Sequence, residues 1–594
     1  MNILALQSLL ADKPLPGVLP ALAHGVSPQQ LQATIDAELH RRAQQLQRLQ
    51  TLRNTAASPA MRLPLEVISD IISYIALESE ASAYGMQWRT LTLVCRRWRE
   101  AALNAPKLWS YVDLVAVFHR ASVIKMNRDR ARGYPLSVKF EVRPGTKWCW
   151  ADGQPLFWDP RRLRALRVQV IPKEAQTFLD RITSDDHPCL EDLDVVSVFR
   201  DMSFASNRDP LPEDAALVRL PGTFLRTKAP RLKRLYLVDI SPPWSSLCNL
   251  TTFTATWTET WSQRFEPDWT LRDILEALGR CSKLETLIIS SPGLPASVPE
   301  EPLPIAAIPG LHVLRLSGPA GSCGQLLKHI ALPSSTRMTF HAIHSQEDVE
   351  ALLPLAEGLR RHYSAGAPLM HSLLCASISI VDRGDAFLLY AYEDKDLHEL
   401  SDNDEHSKPR LSVLWTHSHT RSEALKRGAA LLFPTLPHKD ISILDLRCAR
   451  HLETTDAWTT MVANLPALRC IALHLAEEDV NLLLVTLAAL AHHPGSHRIL
   501  RIHLDARHLL GTVQHSGNNA VEVLHKVEAA YELFNLVVAH AVTSEQLGCP
   551  LEAIVLVDAP EMLIERIHPD EVSSHLSQGF VYNGVLKKVA TLKG

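Results

Sequence analysis

A recurring apolar triplet is the feature that most restricts what this chain can fold into. Six segments share the form apolar-x-x-apolar-x-apolar with leucine first: Leu163/Leu166/Val168, Leu190/Leu193/Val195, Leu232/Leu235/Leu237, Leu284/Leu287/Ile289, Leu311/Leu314/Leu316 and Leu468/Ile471/Leu473. Looser versions begin at Ile441, Ile499 and Leu551. Four of the six have proline two positions ahead of the first leucine, namely Pro188, Pro230, Pro309 and Pro466. With 38 prolines in 594 residues, chance supplies about one such coincidence or fewer. Proline before a strand is physically sensible, because it fixes an extended entry and needs no ladder amide. The starts at 163 and 190, at 284 and 311, and at 441 and 468 are each 27 residues apart. That period lies in the range where each unit lends one strand to a curved parallel sheet. Other gaps are much longer, and the Asn/Cys position of a full leucine-rich-repeat signature is missing. An ordinary α/β domain with a few similar strands is the competing reading.

The expected fold class is therefore α/β. An N-terminal helix and a three-helix module precede an irregular leucine-rich-repeat-like solenoid with a curved parallel sheet. The divisions are a segment over 1–26, a helix over 27–57 whose stripe also suits a coiled coil, a helical module over 60–112, and the repeat-like region over 136–594. An acidic loop lies at 393–409, where EDKDLHELSDNDEHSKP carries almost no apolar residue and reads as solvated chain. Gly17 to Gly25, Pro292 to Pro309 and Gly318 to Gly324 read as turn-rich.

Ser27-Pro28 is a helix start, since serine caps the first amides and proline fits the first turn. Leu31, Ile35, Leu39, Leu46 and Leu49 then form a helical stripe, with Arg42 standing where a heptad seam wants an apolar residue. Next, Pro64 opens a segment in which Val67, Ile68, Ile71, Ile72 and Ile75 share helical spacing. A polar stretch over 78–85 separates it from a second helical pattern, Leu91, Val94, Cys95, Trp98 and Leu103, with Arg96, Arg97 and Arg99 directed elsewhere. A short element ends at Leu108-Trp109.

These residues resemble the F-box. That family opens on Leu-Pro, continues as an amphipathic helix, adds a helix of the form hydrophobic-x-hydrophobic-V-[SC]-[RK]-x-W, and closes near a second tryptophan. The matching positions here are Leu63-Pro64, Val67-Ile68, Ile71-Ile72, Leu91 with Leu93-Val94-Cys95-Arg96-Arg97-Trp98, and Leu108-Trp109. The upstream helix and the later Gly133-Tyr134-Pro135-Leu136-Ser137-Val138 look like fungal F-box proteins. The interval over 76–88 is longer than in the shortest members. The resemblance implies a substrate receptor that links a target protein to a Skp–cullin–F-box ubiquitin ligase, for ubiquitin-dependent degradation. It also implies that Leu63, Pro64, Ile68, Ile71, Ile72, Val94 and Trp98 contact or shape the adaptor interface. The partners would be a Skp-type adaptor, a cullin ligase and a target the sequence does not identify. The alternative is a non-catalytic repeat-type scaffold that keeps the helical module for internal packing alone.

The sequence carries little sign of catalytic chemistry, and the expectation is no enzyme, no cofactor and no metal. Gly318-Pro319-Ala320-Gly321-Ser322-Cys323-Gly324 has glycines but no following Lys-Ser/Thr, and Pro319 lacks an amide a phosphate could use. No GxSxG or HExxH occurs. His417 with His419, and His492, His493 and His497, have no complementary ligand spacing and read as loop histidines. Arg161, Arg162, Arg164 and Arg167 form a basic run near Trp148, Trp150 and Trp158. Arginine could reach a phosphate or an acidic partner there, but with a net charge of -4 over the chain a solvated sheet face is the expected reading, and no nucleic-acid partner is expected. The ten cysteines are scattered without a CxxC pair, as buried thiols of a reducing compartment are. The apolar run Leu482 to Ala491 is too short to span a bilayer and reads as a buried helix. Neither a signal peptide nor a membrane span is expected, and the expected location is cytoplasm or nucleus.

Overall fold

The computed structural model describes residues 27–57, 62–77, 87–114, 121–142, 159–197, 217–258, 268–290, 294–295, 302–344, 349–364, 375–381, 386–392, 410–417, 428, 431–436, 440–448, 465–475, 484, 486, 501–506, 520–548, 550–582 and 585–587. The chain forms two compact units, 1–141 with 147–164, and 142–146 with 165–594. The segment 1–26, the acidic loop at 393–409, Trp148, Trp150, Trp158, His419, His492, His493, His497 and most of Leu482 to Ala491 lie outside the described residues.

The first unit begins with α1 (Pro28–Ala57). Ser27 and Gln30 cap it reciprocally: the Gln30 amide donates to Ser27 Oγ at 3.4 Å, and the Ser27 amide donates to Gln30 Oε1 at 3.3 Å. Its stripe stays open, with Ile35, Leu39 and Leu46 all exposed. Arg42 is not idle in that stripe. Together with Arg41 it clasps Glu38, whose carboxyl these two guanidinium hydrogen bonds hold down at about 2.

After α1 come α2 (Leu65–Leu77), a 3₁₀ turn (Gln87–Leu93), α3 (Arg96–Leu103), α4 (Pro106–Trp109), β1 (Tyr111–Asp113), α5 (Ala121–Arg130) and β2 (Leu136–Val142). β1 and β2 pair in parallel, Val112 opposite Val138. A short 3₁₀ turn (Pro160–Arg162) leads into β3 (Leu163–Val170). Two arginines of the basic run are held by the protein's own groups. Arg162 donates to Tyr134 O at 3.1 Å, and Arg164 donates to Tyr111 Oη at 3.0 Å and Ser137 Oγ at 2.9 Å.

The second unit is a sheet flanked by helices. From β3 it passes through α6 (Pro172–Ile182), β4 (Asp192–Ser197), β5 (Arg234–Val238), β6 (Thr252–Thr256), α7 (Leu271–Gly279), β7 (Thr286–Ile289), β8 (Ala306–Ala307), β9 (Val313–Pro319), α8 (Ala320–Lys328), β10 (Ile330–Ala331), β11 (Arg337–His344) and α9 (Leu353–Ser364). Then follow β12 (Cys375–Val381), β13 (Ala386–Tyr392), β14 (Leu411–His417), β15 (Ile443–Cys448), β16 (Cys470–His474), β17 (Arg501–Asp505), α10 (Ala520–Gln546), β18 (Ala553–Val557), α11 (Glu561–Ile564), α12 (Pro569–Ser574), β19 (Gly579–Tyr582) and β20 (Val585–Lys587).

Strands β3, β4, β5, β6, β7, β9 and β11 lie side by side in chain order, every neighbour parallel. β14 pairs parallel to β11, β13 runs antiparallel between β14 and β12, and β12, β15, β16, β17, β18 and β19 are again parallel. The triplets account for the registry. The second leucine of each sits opposite the second of the next: Leu166, Leu193, Leu235, Phe253, Leu287 and Leu314 form one buried row. The 27-residue spacings become direct neighbours, Leu166 with Leu193, Leu287 with Leu314, and Leu444 with Ile471.

The proline rule has a different physical cause from the one the sequence suggests. Pro188, Pro230, Pro309 and Pro466 do not enter strands. Each is the second residue of a turn closed by the leucine amide: Leu190 to His187 O (3.1 Å), Leu232 to Ala229 O (3.1 Å), Leu311 to Ile308 O (3.3 Å) and Leu468 to Leu465 O (3.1 Å). That turn position wants the φ that proline already has and uses no amide there. The segment from Gly318 to Gly324 is likewise not a loop. It ends β9 and opens α8, and Gly324 lets α8 approach α9, since a Cβ there would stand 2.1 Å from Leu355 N.

Candidate functional site

The helical module is built around two tryptophans. Pro64 leaves its carbonyl to accept the first helical bond of α2, from the Ile68 amide at 3.1 Å. Trp88, in the 3₁₀ turn, is 2% exposed and meets Trp109 edge-on at 5.1 Å. Trp109 Nε1 donates to Ala102 O at 2.9 Å, and Arg130 lies 4.4 Å over its ring. Such buried aromatics with a satisfied N–H fix the angle between short helices too small to hold one another otherwise. On Arg89, burial first and Arg130 second push the guanidinium below its usual range.

Helix α2 is apolar on two adjacent faces. Ile68, Ile72 and Ala76 turn inward and are 0%, 0% and 1% exposed. At spacings of four, three and one, Val67, Ile71, Tyr74 and Ile75 form a neighbouring stripe. Val67, Tyr74 and Ile75 are exposed there, and Ile71 is half-buried. One apolar face suffices to pack a helix on its own module, and among the described residues Val67, Tyr74 and Ile75 of the second face stay open to solvent.

The second helical pattern is interrupted. Leu91 to Leu93 belong to the 3₁₀ turn, and Cys95 is extended (φ -162, ψ 174) before α3 starts at Arg96. One helix from Leu91 to Leu103 is therefore incorrect. The break turns Leu93 and Val94 outward, where they are 73% and 61% exposed. Arg97, expected to point elsewhere, instead donates to Leu63 O at 2.5 Å and ties α3 to the Leu63-Pro64 corner.

The seven residues singled out in the sequence thus fall into different settings. Pro64 and Val94 are exposed, while Leu63, Ile71 and Trp98 are half-buried. Ile68 and Ile72 have no accessible surface and act only by shaping the module. The interface set implied by the resemblance leaves out Tyr74, and also Val67, Ile75 and Leu93, although those three stand in its apolar pattern. A helical wheel of 65–77 carries the signal for the first three.

Among the described residues no group of three or more His, Cys, Asp or Glu is placed to hold a metal ion. No described helix is long and apolar enough to cross a membrane. Cys281, Cys323 and Cys470 are buried free thiols, and burial pushes Cys323 and Cys470 up to about 12.

Residues 60–115 match the F-box-like family model. This span holds α2, α3, α4 and both core tryptophans, so the chain carries an F-box-like domain near its N-terminus. Comparison with the curated proteins finds no match for the chain.

Proposed function

We propose that this chain is a substrate receptor of a Skp–cullin–F-box-type ubiquitin ligase and performs no covalent chemistry itself. One observation carries the reading: the F-box-like domain leaves a second apolar stripe of α2 and the Leu93–Val94 turn open to solvent. Exposed apolar surface of this kind on a small domain marks a partner site, and the family match gives the partner as a Skp-type adaptor. In this reading Val67, Ile71, Tyr74, Ile75, Leu93, Val94 and Pro64 touch the adaptor, and Ile68, Ile72, Leu63 and Trp98 hold them in place.

The second unit would then take the target as a leucine-rich-repeat-like solenoid. Support comes from the chain-ordered parallel strands and from a bonding pattern shared by the starts of β5, β7 and β9. The carbonyl of Glu191 accepts from Lys233 N and Arg234 N, that of Thr251 from Glu285 N and Thr286 N, and that of Glu285 from His312 N and Val313 N. Holding ligase and target on one chain raises the effective concentration of one at the other. Such a receptor works in the cytoplasm or nucleus.

The test is capture of a Skp-type adaptor by the full chain and by Leu93→Asp with Val94→Asp. Each apolar side chain buried contributes roughly 1.5–3 kcal/mol, so the pair should weaken capture by at least about 100-fold. Both sites are exposed, so the fold should be unaffected. Undiminished capture by the double variant removes these residues from the interface. No capture by the unaltered chain favours the scaffold reading instead.

A further inference from the structure

We propose that the open face of β7, β9 and β11 docks an extended acidic segment of a target protein through Arg315 and Arg337. The face is defined by alternation: Leu314, Leu316, Met338 and Phe340 are buried beneath it, which leaves Arg315 and Arg337 on the other side, both exposed. Arg337 is opposite Val313, two residues from Arg315 on the same strand, so the two guanidinium groups stand on neighbouring strands.

Among the described residues their charge has no counterpart there. The five adjacent strands β6, β7, β9, β11 and β14 contain no Asp or Glu. Neither arginine makes a side-chain ion pair or hydrogen bond among the described residues. Farther along the same face the charges are matched, because Arg234 on β5 pairs with Asp192 on β4 and Arg167 is in register with Asp194. A guanidinium offers a planar fork that suits a carboxylate, and two on adjacent strands suit an acidic stretch.

The same row also specifies an apolar contact. Arg315, Ile288, Thr254 and Tyr236 are in register across four strands, and Tyr236 is 39% exposed. Three strand spacings separate Arg315 from Tyr236, about 14 Å, which an extended peptide covers in about four residues. The preferred segment therefore carries carboxylates at one end and an apolar residue about four positions away.

This inference rests on the receptor reading for its biological meaning, but the surface can be tested alone. Fluorescein-labelled deca-glutamate is titrated into the full chain, with deca-glutamine as control, and adaptor capture is read on the same samples. Arg315→Gln with Arg337→Gln should weaken deca-glutamate binding at least tenfold and leave adaptor capture unchanged, and Arg231→Gln on an exposed turn should change neither. The charge reversals Arg315→Glu with Arg337→Glu should abolish binding, with native-like circular dichroism as the check on folding. Equal binding of deca-glutamate and deca-glutamine, or equal weakening by Arg231→Gln, overturns the surface. So does full binding by the charge-reversed chain, which would assign the acidic peptide to another part of the molecule. Loss of adaptor capture by the unaltered chain would instead overturn the receptor reading alone.

Discussion

One fully buried and one half-buried titratable residue, Asp239 and His362, set opposite pH limits on the second unit. Asp239 has no accessible surface and accepts from Thr258 N at 2.6 Å and Thr258 Oγ1 at 2.9 Å. Burial outweighs those bonds and raises its carboxyl from 3.8 to about 6. The folded state holds this proton more tightly than the unfolded chain, so stability falls as pH rises from about 4 through 6, by of order 3 kcal/mol. Asp239→Asn removes that ionisation, and asparagine tolerates the left-handed φ of 58 found here. Urea unfolding should show the variant gaining on the parent between pH 4 and pH 7.5, and a constant difference would refute the buried ionisation. His362 acts the other way. Burial and then Arg410 lower it to about 4, so its contribution is intact above about 6.5 and lost as pH falls toward 4. His362→Gln should flatten the acid limb of the same curve. Neither effect is legible in the sequence, because both arise from residues brought over these groups by the sheet and its helices. Gly324 is the third case. In sequence it belongs to a glycine-rich stretch, and in the fold it is the contact between α8 and α9. Gly324→Ala should cost about 1–3 kcal/mol as overpacking, read as a lower urea midpoint with an unchanged slope.

At the scale of elements the triplets were the legible part. Their second and third apolar positions fall on β3, β4, β5, β7, β9, β15, β16, β17 and β18, because a strand with one buried side repeats every two residues, and in several of them a leucine closing the preceding turn adds the third contact. The strands that escaped the pattern break it for identifiable reasons. β6 has the spacing Leu250, Phe253 and Ala255, but alanine makes its last position inconspicuous. Before β11 the turn closes on Thr336, whose Oγ1 donates to Leu311 O at 2.8 Å in place of an apolar contact. β12, β13 and β14 form a meander that interrupts the parallel series, and no local period announces it. The turn prolines and leucines should separate energetically. Leu311→Ala empties a fully buried site and should cost about 2–5 kcal/mol. Pro309→Ala removes only the restriction proline places on the unfolded chain and should cost about 0.4–1 kcal/mol. Similar losses for both would mean that the turn, rather than the buried leucine, orders the strand.

For the molecule as a whole, the division into two units decides how damage spreads. Helical spacing and the Leu-Pro start made the F-box-like domain visible in sequence, but they did not separate Ile68 and Ile72, which are interior, from Leu93, which is open, and Tyr74, also open, stood outside the pattern. Periodicity finds the apolar residues of a helix but does not say which of two apolar faces its neighbours will take. That depends on Trp88, which the sequence placed in a connecting interval and the fold places at the centre of the module. Trp88→Ala removes the edge-on partner of Trp109 and should cost the first unit about 3–5 kcal/mol, comparable with the whole stability of a small domain. The second unit has its own core, from Leu166 to Phe580, and a core of that extent should unfold as a separate transition. Thermal scans of the full chain should therefore show the smaller transition lost or moved down in Trp88→Ala and the larger one unmoved. Adaptor capture should fail while deca-glutamate binding persists. A single transition that shifts as one would show that the two units fold together, and a lesion at the docking end would then also silence the surface that carries Arg315 and Arg337.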